Sequence, residues 1–212
     1  MASRIIPGLI YGCIFYICVL QKNIIFLNLL LSFFLIQLNI EFYNITKKSQ
    51  SILLQILIPI IYIGLPILLI QHIKLHFGYN YLLFIVFMTW INDVSAFIIG
   101  KTIGQQKISH ISKNKTIEGF LGSLLVCVVC CYYMQKALHI ELNIDTFFLG
   151  VLISISCNIG DLFESKIKRK FNKKDSGKIM IGHGGMLDRL DSLLFSATMF
   201  YIILLLNGSY RL

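Results

Sequence analysis

The chain has 212 residues, of which 57% are hydrophobic and 14% charged, with a mean hydropathy of +0.78. Soluble domains average roughly 45–50% apolar and about 25% charged residues, and a 24.3 kDa globule exposes too much surface to hide this excess from water. Disorder, a coiled coil and almost any soluble enzyme are excluded. A net charge of +9 in so apolar a chain points to loops against anionic headgroups rather than to nucleic acid.

In chain order, the apolar stretches expected to span a membrane are 5–21, 24–40, 52–72, 79–100, 119–138, 144–160 and 189–206. Most are near the ~20 residues that hydrocarbon requires. No alternation of the barrel type persists, so the fold class is all-α: a polytopic integral membrane protein of about seven transmembrane helices. The first stretch follows a single Arg4, is too long for a signal core and lacks a small-x-small cleavage site, so it is read as a retained span. Pro59 and Pro66 fall inside the third and are expected to kink it. The six cysteines all lie in apolar runs. Cys127 and Cys130 form a CxxC with no second pair or flanking histidine, which fits buried inert thiols better than zinc.

The basic residues orient the bundle. With seven spans, one side collects Arg4, Lys47, Lys48, the lysines between 101 and 115, the basic run between 166 and 178, and Arg189; the other keeps Lys22, Lys74, Lys136 and Arg211. The positive-inside rule then places the crowded side in the cytoplasm.

Seven of the 10 acidic residues fall at the edges of the loop at 93–118 or in the stretch 161–191. Asp93 is the sharpest, set inside WINDVSAFIIG, where a carboxylate either pairs with nearby Lys101 or faces a polar cavity. On a helix, Asp161, Glu164, Ser165 and Lys168 share one face. Ser176-Gly177 reads as a turn, and Gly182-His183-Gly184-Gly185 as backbone able to approach a ligand closely. Asp188 and Asp191 lie one turn apart at the head of the last span, with Arg189 between them. Two such carboxylates suit a hard cation such as Mg2+. Taken singly, each element has a plain structural explanation. Cations crowded beside carboxylates are what phosphate and metal chemistry needs.

These residues resemble the signature of the phosphatidate cytidylyltransferases, the CDP-diacylglycerol synthases. The matching elements are Ser165, Lys168-Arg169, Lys174-Asp175, Ser176-Gly177, His183-Gly184-Gly185 and Asp188-Arg189-Leu190-Asp191, preceded by Gly160-Asp161-Leu162-Phe163-Glu164. A second region is similar too: Asn92-Asp93 to Phe97, Gly100-Lys101, Gly104, Ile111-Ser112, Lys115-Thr116 and Glu118-Gly119. The departures are Ile181 where the family has proline and Lys113-Asn114 where it has Pro-Lys.

The resemblance implies that CTP and phosphatidic acid give CDP-diacylglycerol and pyrophosphate in phospholipid biosynthesis. One membrane-embedded domain, 1–212, is implied, with N-terminal spans over 1–88 and the catalytic part over 89–212. It further implies a metal group of Asp161, Asp175, Asp188 and Asp191 holding Mg2+. Lys168, Arg169, Lys174 and Arg189 are expected on phosphates. Ser165, His183, Gly184 and Gly185 are expected near the nucleotide, and Asp93, Lys115 and Glu118 complete the site. The expected partners are CTP, phosphatidic acid and the bilayer, with a homodimer as candidate assembly and no nucleic acid. The expected location is the bacterial inner membrane with the site facing the cytoplasm. Two other classes fit a polytopic chain. A CDP-alcohol phosphatidyltransferase lacks its DGxxAR…GxxxDxxxD pattern here, and a transporter would set its polar groups at mid-bilayer.

Overall fold

In hydrocarbon every backbone N–H and C=O must be bonded within the chain, and long runs of Ile, Leu and Phe meet that demand by coiling into helix. The computed structural model describes residues 12–47, 49–109, 112–177 and 184–207. Helix α1 is described over 12–20. It is followed by α2 (Ile24–Thr46), α3 (Leu53–His76), α4 (Tyr79–Thr102), the strands β1 (Lys107–Ser109) and β2 (Ser112–Thr116), α5 (Ile117–Ala137), α6 (Thr146–Lys170) and α7 (Leu187–Leu206). Among the described residues these are seven helices, and α2 to α7 are each long and apolar enough to cross a membrane. The N-terminal part of the first expected span, 5–11, lies outside the described residues, as does Lys48.

Local sequence explains the helix ends. Asn23, Thr116 and Asp145 each accept a hydrogen bond from a first-turn amide, of Ile25 (2.9 Å), Gly119 (3.1 Å) and Phe147 (2.7 Å) respectively. The sixth expected span, 144–160, lies in a helix that runs on to Lys170, so the polar residues read on one helical face are helical. Apolarity stops at Gly160, but the polar tail keeps helical pairing at i,i+4, so the helix continues past its apolar stretch. In α3 the prolines are absorbed by two π turns, Leu53–Leu57 and Ile60–Gly64. Pro59 stands just before the second, where a wider turn relieves the crowding by its ring, and Pro66 sits in the first turn of the regular segment that follows.

Phe42, Phe84, Phe200 and Leu149 are fully enclosed, whereas Leu29, Ile36, Phe97 and Leu125 expose more than half their surface. Apolar side chains so exposed along spanning helices face lipid. Because lipid gives no hydrophobic push between helices, close packing must hold them, and small residues allow it. A Cβ on Gly150 would lie 2.7 Å from the Val128 Cα, and one on Gly119 would lie 2.8 Å from the Ala96 oxygen and 3.1 Å from the Gly100 Cα. Gly100 and Gly119, prominent in the second signature region, thus bring α4 against α5.

The chain crosses back and forth, so α2, α4 and α6 end, and α3, α5 and α7 begin, at one end of the bundle. The antiparallel hairpin β1–β2, with Lys107 opposite Thr116, lies at that end, as do the basic segments around residues 101–115 and 166–174. At the other end Lys74 donates to the Cys18 and Gln21 carbonyls, both at 3.0 Å.

Candidate active site

The polar tail of α6 builds one wall. Lys168 Nζ lies 2.7 Å from Glu164 Oε2, one turn back, and also pairs with Asp188 in the first turn of α7. Glu164 is almost wholly buried. On the next turn, Asp161 is bound by Lys115 from β2, Nζ to Oδ2 at 2.6 Å. Gly160 lets α7 come close enough to join them: a Cβ there would meet the Phe195 Cβ at 3.1 Å. As a result Asp161, Glu164 and Asp191 each offer a carboxylate oxygen within 4.8 Å of the others.

Some of these groups border a polar cavity of about 360 Å³ whose lining includes Asp93, Lys115, Asp161, Ser165, Asp188, Arg189 and Asp191. Four carboxylates, those of residues 93, 161, 188 and 191, line it with the cations Lys115 and Arg189, and Glu164 is joined to them through Lys168 and Asp188. The acids outnumber the cations, and two of them, Glu164 and Asp191, are buried, where a negative charge is costly unless a cation offsets it. Glu164 Oε1 has no hydrogen-bond partner among the described residues although it is buried. An orphaned carboxylate oxygen among converging acids fits a divalent cation with oxygen ligands.

The structure distributes the expected metal group differently. Asp161 and Asp191 converge, and Glu164 joins them in place of Asp188 and Asp175. Asp188 is occupied: besides Lys168, its Oδ2 accepts the Ser176 amide (3.0 Å) and the Gly185 amide (2.8 Å). Asp175 is exposed on the loop after α6. Gly184 has φ +87°, and a Cβ on it would press on Asp188. Gly184 and Gly185 closely approach protein groups, Asp188 for the first and Ser176 and Glu41 for the second.

Other expected residues are spread around this core. Arg169 is exposed and donates to the Lys173 carbonyl at 2.9 Å, and Lys174 is exposed nearby. Glu118 receives the Gln106 amide at 3.1 Å and so braces the hairpin rather than lining the cavity. Asp93 faces the cavity, while Lys101 lies over the Phe97 ring at 5.7 Å. His183 and Lys178 lie outside the described residues.

Sequence reasoning missed a buried polar network beneath the acids. Asn92 Oδ1 accepts from Ser154 Oγ at 2.7 Å and Asn158 Nδ2 at 3.4 Å, and Asn158 reaches Ser123 at 3.3 Å. Asn158 also lines the cavity. The available signal was its place one turn before Asp161 on the same helix.

An apolar cavity of about 390 Å³ adjoins the polar one. Phe15, Phe34, Trp90, Leu190 and Leu193 line it, and Asp93 and Arg189 belong to both cavities.

A charged cavity against an apolar one, within a bundle of spanning helices, defines a polytopic membrane protein with an amphipathic site. The chain belongs to the cytidylyltransferase family, whose family model matches residues 3–207. It is similar to the phosphatidate cytidylyltransferase of Staphylococcus epidermidis strain RP62A, with 33% identity over 211 residues that cover 94% of this chain and 80% of that protein. The protein of the same name from Staphylococcus haemolyticus is 41% identical over 130 residues, covering 60% of this chain and 50% of that one. That from Staphylococcus aureus strain COL is 36% identical over 152 residues, covering 70% and 58%.

Proposed function

We propose that this chain transfers the cytidylyl group of CTP to phosphatidic acid, forming CDP-diacylglycerol and releasing pyrophosphate. Membership of the family and the named relatives support the reaction. The observation that carries it into the structure is the meeting of a polar, acid-lined cavity with an apolar one at Asp93 and Arg189. An amphiphilic substrate needs that junction.

In this reaction a phosphate oxygen of phosphatidic acid attacks the α-phosphorus of CTP. The bond from that phosphorus to the oxygen bridging to the β-phosphate breaks, and pyrophosphate leaves with the electron pair. The protein's task is positioning and charge neutralisation. Arg189, at the border of both cavities, offers a planar two-pronged donor to the lipid phosphate. Lys115 faces the same cavity from the hairpin. Arg169 and Lys174, exposed at the end of α6 and on the loop after it, would meet the triphosphate of the entering nucleotide. Lys168 is enclosed between Glu164 and Asp188 and is assigned to holding those carboxylates in place rather than to touching phosphate. Asp161, Glu164 and Asp191 would hold Mg2+, which when bound supplies positive charge to phosphate oxygens.

The site faces the cytoplasm of a bacterial inner membrane, where CTP is dissolved, and one domain over 1–212 carries it, with the catalytic groups mainly in 89–212. A homodimer is the proposed assembly, to be checked by the mass of the detergent-solubilised particle.

Transfer of label from α-32P-CTP into lipid by the purified protein, dependent on added phosphatidic acid, is the expected result. Label that stays in the aqueous phase would refute the reading. For orientation, single cysteines at 173 and 136 in a cysteine-free background are expected to behave oppositely towards an impermeant thiol reagent in intact cells. The one at 136 labels and the one at 173 labels only after permeabilisation; the reverse pattern would overturn the cytoplasmic site.

A further inference from the structure

Glu41 lies near the end of α2, far in sequence from both signature regions, and is 3% exposed. A buried carboxylate is expensive unless its oxygens are bonded. No described ion pair includes it. Instead it accepts four hydrogen bonds. Its Oε1 takes the Met186 amide at 3.0 Å and Gln37 Nε2 at 3.1 Å. Its Oε2 takes the Leu187 amide at 2.9 Å and Ser176 Oγ at 3.0 Å. Two of these donors are amides at the start of α7, where the helix has no partners of its own to offer and where the dipole favours an anion. A third comes from the far end of the segment that joins α6 to α7.

Space has been cleared for this carboxylate. A Cβ on Gly177 would lie 2.7 Å from Glu41 Oε1, and one on Gly185 would collide with Glu41 and Ser176. Two glycines of the signature thus admit the side chain from α2. Ser176 is held twice, by its hydroxyl on Glu41 and by its amide on Asp188, and the Gly185 amide is also held by Asp188. From Asp188 the contacts pass to Lys168 and on to Glu164 of the acidic cluster.

We propose that Glu41 is a positioning residue for cytidylyl transfer: it ties both ends of the 176–186 segment so that Asp188 and Lys168 keep the acidic cluster in register. A glutamine cannot replace it, because four donors need two acceptor oxygens and an amide offers one, with a donor in place of the other. The proposal rests on the function proposed above, so its test carries a readout that needs no turnover.

The test uses full-length Glu41→Gln in detergent. Tryptic cleavage at Lys173 and Lys174 is expected at least tenfold faster than in the unsubstituted protein, with insertion into membranes retained. kcat is expected to fall at least thirtyfold, with KM for CTP and for lipid unchanged within about twofold. Ser176→Ala removes one of the four donors and keeps the question open to test should Glu41→Gln fail to insert. Its expected loss of kcat is three- to tenfold, and this loss disappears when it is made on top of Glu41→Gln. Unchanged cleavage and kcat in Glu41→Gln would overturn the proposal. So would a fall in kcat and thermal stability without faster cleavage at these lysines, or a full additional loss from Ser176→Ala in the double variant. An unsubstituted protein that transfers no label would refute the proposed reaction, while the cleavage rates would still decide the clamp.

Discussion

Asp191→Asn is expected to lower turnover by three orders of magnitude or more, a loss of about 4 kcal/mol or more of transition-state stabilisation. Asp191 is nearly buried, and its Oδ1 accepts the Ser192 amide at 2.9 Å. One of its oxygens approaches those of Asp161 and Glu164, so it completes the only group of three acids of this kind among the described residues. The amide keeps the shape but takes away a negative charge and one acceptor, leaving two carboxylates where a divalent cation needs charge as well as oxygens. Lipid labelling from α-32P-CTP across a Mg2+ titration checks it. Turnover restored to the unsubstituted level at high Mg2+ would place Asp191 outside the metal site. Relief of like charge should leave folding intact, and thermal unfolding in detergent is expected to show equal or slightly raised stability without metal.

Lys168→Met is expected to have the opposite profile in stability and the same one in activity. The ammonium sits between two carboxylates, and all three side chains are at most 11% exposed. Removing one partner of a buried ionic group leaves charge uncompensated and typically costs 3–5 kcal/mol. The melting temperature should fall clearly, and turnover should drop by at least two orders of magnitude as Glu164 and Asp188 separate. Adding Glu164→Gln should recover much of the stability and none of the turnover. If the double variant regained activity, Lys168 would serve only to balance charge. If the single variant melted normally, the buried pairing would be of no structural weight.

The extent to which the site was legible in advance depends on how local each interaction is. Helices follow from apolar length, and the face bearing Asp161, Glu164 and Lys168 follows from helical period, since those contacts lie within one strip of α6. The division of labour between Asp188 and Glu164 does not. Spacing makes Asp188 and Asp191 look equivalent, but the segment before α7 folds its Ser176 and Gly185 amides onto Asp188, and that is decided by chain path. Glu41 is a harder case. In sequence it is a lone acid at the end of an apolar run, and its partners are 135 to 146 residues away. The glycines were visible as a motif, with a ligand expected close to 182–185 and a turn at Gly177; Gly177 and Gly185 also make room for Glu41, and Gly100 and Gly119 for the neighbouring helix. Hydropathy marks where the apolar span stops at 160, while the helical spacing of Asp161, Glu164 and Lys168 carries the helix beyond it, and α6 does run on to Lys170.

The border shared by the two cavities bears on the direction of the reaction. Cytidylyl transfer breaks one phosphoanhydride and makes another, so the chemical step is close to balanced and runs as readily backwards. What the adjoining cavities add is a separation of phases. With Arg189 and Asp93 at the boundary, a lipid product held on the apolar side has the bilayer as its exit, and pyrophosphate on the polar side has water. The two fragments needed for reversal are diluted into different solvents as soon as they form. Net flux is then governed by how fast the aqueous and lipid pools are drained, and the protein needs no irreversible step of its own.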